Sequence, residues 1–136
     1  MVITLYTNIV IFSPNNPKNY HWTSRYATSK SQKQILTGHW LSNPDTKKIT
    51  LPCHVTLIRQ SPKSFDHDNY IAGCKAVRDC IADLLIPGLA PGQADGDSRI
   101  SWSYKQEAKH KSQKLIIQIE CDQQRKNGSE NNNCET

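Results

Sequence analysis

The stretch of this 136-residue chain that decides its fold is DHDNYIAGCKAVRDCIADLLIPG, residues 66–88. Its apolar residues recur at spacings of three and four, which is typical of a helix with one side on the core; they are Tyr70, Cys74, Val77, Cys80, Ile81 and Leu84. Asp68 or Asn69 can cap its start, because a short side-chain oxygen accepts from unpaired backbone N–H groups. Pro87 and Gly88 end it. We therefore predict a helix packed by one face.

Alternating apolar residues on both sides of this helix predict β-strands. The runs are residues 51–59, 99–105 and 115–121, and residues 2–12 form a further apolar strand. A second helix is expected over residues 24–41. The charged stretch 107–113 predicts a hairpin between the last two strands. The expected fold class is α+β, a small mixed β-sheet packed by helices in a single domain.

Length and hydropathy limit the class of protein. The length suits one domain, and we assign it to residues 1–121. Residues 122–136 are polar and rich in Asn and Gln, so we predict a disordered tail. No apolar run approaches the roughly 20 residues that cross a bilayer, and no cationic segment precedes residues 2–12 as in a signal peptide. We expect a soluble, cytoplasmic protein with no membrane partner.

Five cysteines, an odd number with no C-x-x-C pair, fit neither a zinc site nor a disulfide framework. We predict that they are small buried apolar residues, with Cys134 in the tail. Any metal would then be bound through oxygen, which favours Mg²⁺ or Mn²⁺.

The net charge of +5 is unevenly distributed. Residues 1–64 carry eight basic residues and one acid, whereas residues 65–136 carry nine basic and eleven acidic residues. Six of the twelve acids lie between residues 66 and 97. A basic half beside an acidic cluster suits a metal-dependent enzyme that acts on a polyanion. Two solvated faces of opposite sign are the simpler alternative.

The helix also has a polar side. At about 100° per residue, Asp68, Lys75 and Asp79 lie on one ridge opposite the apolar stripe. Asp66 projects with Asp68, and Asp97 precedes a strand that could pair beside residues 51–59, so we expect it to bring a third carboxylate to the same end. Close carboxylates favour a divalent cation. A helix cap, an i,i+4 ion pair and a turn would explain most of the same residues without any chemistry.

The residues Asp-His-Asp-Asn at 66–69, Lys-Ala-Val-Arg-Asp at 75–79, and Asp97 three residues before Ile100 resemble the RusA-like family of Holliday-junction resolvases. In that family a D-x-D-N motif opens a helix, K-A-x-x-D follows on it, and an acidic pair precedes a strand. The resemblance covers roughly residues 50–120. Residues 14–16 and 21–25 are similar to a weaker pattern of the family.

This resemblance implies a homodimeric, Mg²⁺-dependent endonuclease that cuts branched DNA in recombination and repair, with Mn²⁺ as a possible substitute. It also implies that Asp66, Asp68 and Asp97 bind the metal, that Asp95 is a weaker ligand match, and that Lys75 is the catalytic lysine.

Two departures from the family pattern concern activity. Lys75 follows Asn69 by six residues, where the family often has three, and Gly96 stands where an Asp is often found. They leave open a DNA-binding accessory protein that has lost catalysis. A small interaction protein with no nucleic-acid role is a separate, third alternative.

The basic segment after the first strand supplies candidate DNA contacts, which we predict are Trp22, Arg25, Lys30 and Lys33. An aromatic ring can stack on bases, and cations contact phosphates. A core position for Trp22 and a merely solvated surface for the lysines remain the alternatives.

Overall fold

The computed structural model describes residues 1–12, 22–88 and 93–121, without the side chains of residues 22–25 and of Asp95. Its elements in chain order are β1 (Val2–Thr7), α1 (Trp22–Ser42), β2 (Cys53–Gln60), α2 (His67–Gly73), α3 (Lys75–Leu85), β3 (Ile100–Glu107) and β4 (Lys114–Cys121). Short 3₁₀ turns occupy Pro44–Lys48 and Ala94–Gly96. This is the predicted α+β class with a mixed sheet.

The four strands lie in the order β1-β4-β2-β3. β4 is antiparallel to both β1 and β2, whereas β3 runs parallel to β2. Apolar side chains on one face of the sheet form a core with the helices, because every second residue of a strand points the same way; fully buried members include Val55, Leu57, Leu36, Val77, Ile81, Ile117 and Ile119.

The predicted hairpin between the last two strands is wrong, because β2 lies between β3 and β4. After β3 the chain crosses the end of β2. The Lys109 N–H donates to the Pro62 carbonyl, and the His110 N–H donates to the Ser61 carbonyl, both at 3.2 Å. Lys109 has a φ of 69°, which turns the chain at this crossing.

The single predicted helix is two helices that meet at Cys74. The Cys74 N–H is shared between the carbonyls of Tyr70 and Ile71, each at 3.1 Å, which bends the axis. Gly73 allows this bend to lie against the backbone, since a Cβ there would be 2.6 Å from the Phe12 carbonyl oxygen. The apolar stripe persists across the bend: Tyr70, Cys74, Val77 and Ile81 are fully buried.

The first strand is shorter than predicted and ends at Thr7. The Thr7 hydroxyl donates to the Leu115 carbonyl and accepts from the Ile9 N–H, which turns the backbone out of the ladder. Ile9 and Ile11 are nevertheless buried, so their apolar pattern reflects packing rather than strand pairing.

The prediction that the cysteines are buried is confirmed for Cys53, Cys74, Cys80 and Cys121. Cys134 and the predicted tail 122–136 lie outside the described residues. Among the helices that the structure describes, none has the length and apolar character to cross a membrane.

Candidate functional site

Two exposed carboxylates stand at the beginning of α2. Asp66 occupies the position before the helix, and its carbonyl accepts from the Tyr70 N–H at 2.9 Å. Its carboxylate does not cap the helix, and neither it nor the Asp68 carboxylate bonds to any described residue. Both side chains are exposed, so their oxygens are open to a cation or to water.

The predicted polar ridge continues from Asp68 along the two helices. Ala72, Lys75 and Asp79 follow at spacings of four, three and four, which keeps them on one side of a helix. The Lys75 ammonium lies 3.4 Å from a carboxylate oxygen of Asp79. The Lys75 side chain is 73% exposed and that of Asp79 only 14%. The lysine is therefore open to solvent, whereas the carboxylate that pairs with it is mostly buried.

A cleft of about 270 Å³ separates this ridge from α1. Its walls bring Lys33 of α1 to the same space as Lys75 and Asp79, and Phe12 and Gln32 are also part of the lining. Gln32 is buried, and its amide donates to the Val10 carbonyl at 2.7 Å, which holds α1 in place. The structure thus joins one predicted DNA contact to the predicted catalytic lysine.

Helix α1 carries no acidic residue along its 21 positions. Lys30 and Lys33 are exposed, and with Tyr26 they line a second groove on its outer side. The ring of Tyr26, which is 64% exposed, was not among the predicted contacts. The helical spacing could have predicted it, because Tyr26 stands four residues before Lys30 and therefore lies on the same side of α1. Trp22 and Arg25 begin α1, but their side chains lie outside the described part of the chain.

The expectation that Asp97 joins Asp66 at one end of the sheet is wrong. Asp66 follows Phe65, which exchanges two hydrogen bonds with Gln106 near the end of β3, whereas Asp97 precedes the start of β3. Ile100 and Gln106 are about 20 Å apart at the rise of a strand. Within residues 1–12, 22–88 and 93–121, no three His, Cys, Asp or Glu side chains converge as a metal site.

Asp97 is instead bound by Arg99. Its carboxylate accepts from the Arg99 backbone N–H at 2.9 Å and from Nε and Nη2 of the guanidinium at 3.0 and 2.9 Å. These contacts lower the pKa of Asp97 to about 2. Asp95 lies in the preceding 3₁₀ turn, and its side chain is outside the described residues.

A buried arginine that the predictions missed supports the segment before Asp66. Arg59 is 4% exposed and lies 3.7 Å over the ring of Phe65. Its guanidinium donates to Ser61, to the Lys63 carbonyl, and to the side chains of Gln106 and Gln113. Strand alternation could have found it, because Arg59 shares the inward face of β2 with Val55 and Leu57.

Neither protein-family models nor curated proteins give a match to this chain.

Proposed function

We propose that the chain is a Mg²⁺-dependent endonuclease that hydrolyses phosphodiester bonds in branched DNA, foremost in four-way junctions. The observation that carries this proposal is the cleft between an acid-free basic helix and the Lys75 ridge, with two open carboxylates where the ridge begins. A DNA backbone is attracted to the basic wall. Lys75, Ala76 and Asp79 of the K-A-x-x-D motif line the other wall.

Asp66 and Asp68 fit a magnesium ion. This cation is commonly bound in proteins by one or two carboxylates and completes its shell with water and phosphate oxygens. Both side chains are exposed and free of described protein partners. When bound, the ion polarises a phosphoryl oxygen and lowers the pKa of its water. Mn²⁺ has the same preference for oxygen.

The remaining groups bind and orient the DNA. The Lys75 ammonium, held by Asp79 at 3.4 Å, neutralises charge that develops on the phosphate or on the leaving oxygen. Lys33 on the facing wall and Lys30 beside it contact backbone phosphates. The exposed ring of Tyr26 can stack on an unpaired base at a branch point.

A homodimer belongs to this proposal, because resolving a four-way junction takes two symmetric cuts. We place the activity in DNA recombination and repair in the cytoplasm. Light scattering of the purified chain, alone and with a junction, checks the dimer directly.

The test is cleavage of a labelled four-way junction and of a linear duplex, each with and without Mg²⁺. We expect nicking that is selective for the junction and needs the metal. D68N should bind the junction at least as well as wild type, because one charge that repels phosphate is gone, and should not cut. D45N, which removes an exposed carboxylate after α1, is the matched control. Undiminished cutting by D68N would overturn the assignment.

One observation favours a second candidate, a DNA-binding accessory protein without catalysis. Asp97, the third carboxylate of the motif, is held by Arg99 at the other end of β3. This candidate predicts junction-selective retention that needs no Mg²⁺ and produces no nick. The same pair of substrates therefore distinguishes the two functions.

A further inference from the structure

Cys53 and Cys121 face each other across the two central strands. They are direct partners in the antiparallel register of β2 and β4. The Cys121 N–H donates to the Met1 carbonyl at 3.0 Å, and its carbonyl accepts from the Met1 nitrogen at 2.9 Å. Because both backbone groups of Cys121 are directed to β1, the pair with Cys53 is of the type without hydrogen bonds.

The spacing of such a pair suits a disulfide. In antiparallel pairs without hydrogen bonds the Cα atoms lie about 4.5 Å apart, and the side chains leave the same face. Disulfides form at Cα separations of roughly 4.4–6.8 Å. Both thiols are buried on the core face, and burial raises the pKa of Cys53 to about 11, with a further contribution from the neighbouring Cys121.

A groove opens beside the pair, next to the residues that a small-molecule oxidant would have to approach. A groove of about 370 Å³ runs along this end of the sheet and includes both cysteines in its lining, with Met1, Pro52 and Glu120 around them. The exposed fractions of Cys53 and Cys121 are 5% and 6%, so neither residue is completely enclosed.

We propose that Cys53 and Cys121 form a reversible cross-strand disulfide when the folded protein meets a disulfide or diazene oxidant. With oxidised glutathione, one cysteine loses its proton and attacks a glutathione sulfur, which breaks the glutathione S–S bond and releases one reduced glutathione. The second cysteine, as thiolate, then attacks the mixed disulfide, forms the Cys53–Cys121 bond and releases the other glutathione. Two electrons pass from the cysteine pair to the oxidant.

The bond would close a loop that contains α2, α3 and β3. Long closed loops restrict the unfolded chain most, so oxidation should stabilise the fold. The pair lies at the start of β2, whereas Asp66 and Asp68 follow the end of that strand. We therefore expect the oxidised protein to retain its DNA binding, and this inference stands apart from the proposed function.

The experiment is peptide mapping of the full chain after oxidation with diamide in native buffer at mildly alkaline pH, followed by alkylation and trypsin. Cleavage places Cys53 in residues 49–59 and Cys121 in residues 115–125, and each other cysteine in a peptide of its own. We expect these two peptides to be linked and to separate on reduction. The melting temperature of the oxidised form should rise by about 5 °C or more.

C80S is the matched control and should keep the linkage, whereas C53S should lose both the linkage and the rise in melting temperature. Oxidation in concentrated urea should give mixed pairings, because the register no longer selects the pair. If native oxidation leaves both cysteines alkylated, or links either of them mainly to another cysteine, the inference is overturned. Mapping of the wild-type chain decides this even if C53S does not fold.

Discussion

Aspartates of the motif lie near both ends of β3, and the two ends differ in what binds their carboxylates. At one end, Asp66 and Asp68 are exposed and have no described protein partner. At the other, Asp97 receives three hydrogen bonds from Arg99. A carboxylate whose charge is already compensated gains less from a cation, so the first end suits a metal better than the second. Residue type alone does not distinguish them.

The largest expected difference between the two ends is catalytic. We predict that D66N and D68N each reduce Mg²⁺-dependent junction cleavage by at least about 1,000-fold, because each removes a charge that holds the ion, whereas D97N stays within about threefold of wild type. Single-turnover cleavage at saturating protein measures this. Equal losses in all three variants would show that Asp97 reaches the active site in the assembled protein. That result would contradict the proposed difference between the two ends of β3.

A second contrast concerns the arginines at the two ends. Arg59 is buried and bonds to four groups beside the Asp66 segment, whereas the side chain of Arg99 is 54% exposed. We predict that R59A lowers the free energy of unfolding by about 3 kcal/mol, because one buried and three partly buried acceptors lose a charged donor. R99A should lower the urea midpoint far less than R59A, because the Arg99 side chain is 54% exposed. Urea denaturation followed by circular dichroism measures both variants. A small effect of R59A would contradict the stabilising role of the Arg59 hydrogen bonds.

The cleft itself can be tested through salt. Each phosphate contact that is lost should reduce the slope of log affinity against log salt by about 0.9. We therefore predict that the double variant K30A/K33A binds a junction about tenfold more weakly at low salt and has a slope smaller by about 2. K47A, an exposed lysine in the 3₁₀ turn after α1, is the control. Wild-type binding without salt dependence would favour the small interaction protein with no nucleic-acid role.

Local patterns predicted what depends on local geometry. The three- and four-residue spacing that predicts the polar ridge survives the bend at Cys74, since the apolar stripe on the opposite side stays buried across it. Strand alternation likewise predicted the inward faces of β2 and β4. The break at Cys74 lies beside the close approach of Gly73 to the Phe12 backbone, a contact distant in sequence that no periodicity predicts.

The position of Asp97 depends on strand direction, which is not local. Asp66 follows β2 and Asp97 precedes β3, and these strands are parallel, so the two residues necessarily lie at opposite ends. The strand–helix–strand order of β2, the helices and β3 already favours parallel pairing of the two strands. The predicted hairpin paired β3 with β4 instead, and the end at which Asp97 lies was therefore predicted wrongly. A predicted topology is thus needed before separate motif residues are combined into one site.

The smallest expected effect is on the pH dependence of stability. The pKa of Asp97 is lowered from 3.8 to about 2 by the hydrogen bonds and charge of Arg99. A carboxyl whose pKa is lower in the folded state stabilises the fold above its unfolded pKa, and this contribution is lost as the pH falls toward the folded pKa. We predict that the urea midpoints of wild type and D97N differ most at pH 5 and converge between about pH 4 and pH 2. A difference in midpoint that stays the same from pH 5 to pH 2 would contradict the stabilisation of the Asp97 carboxylate by Arg99.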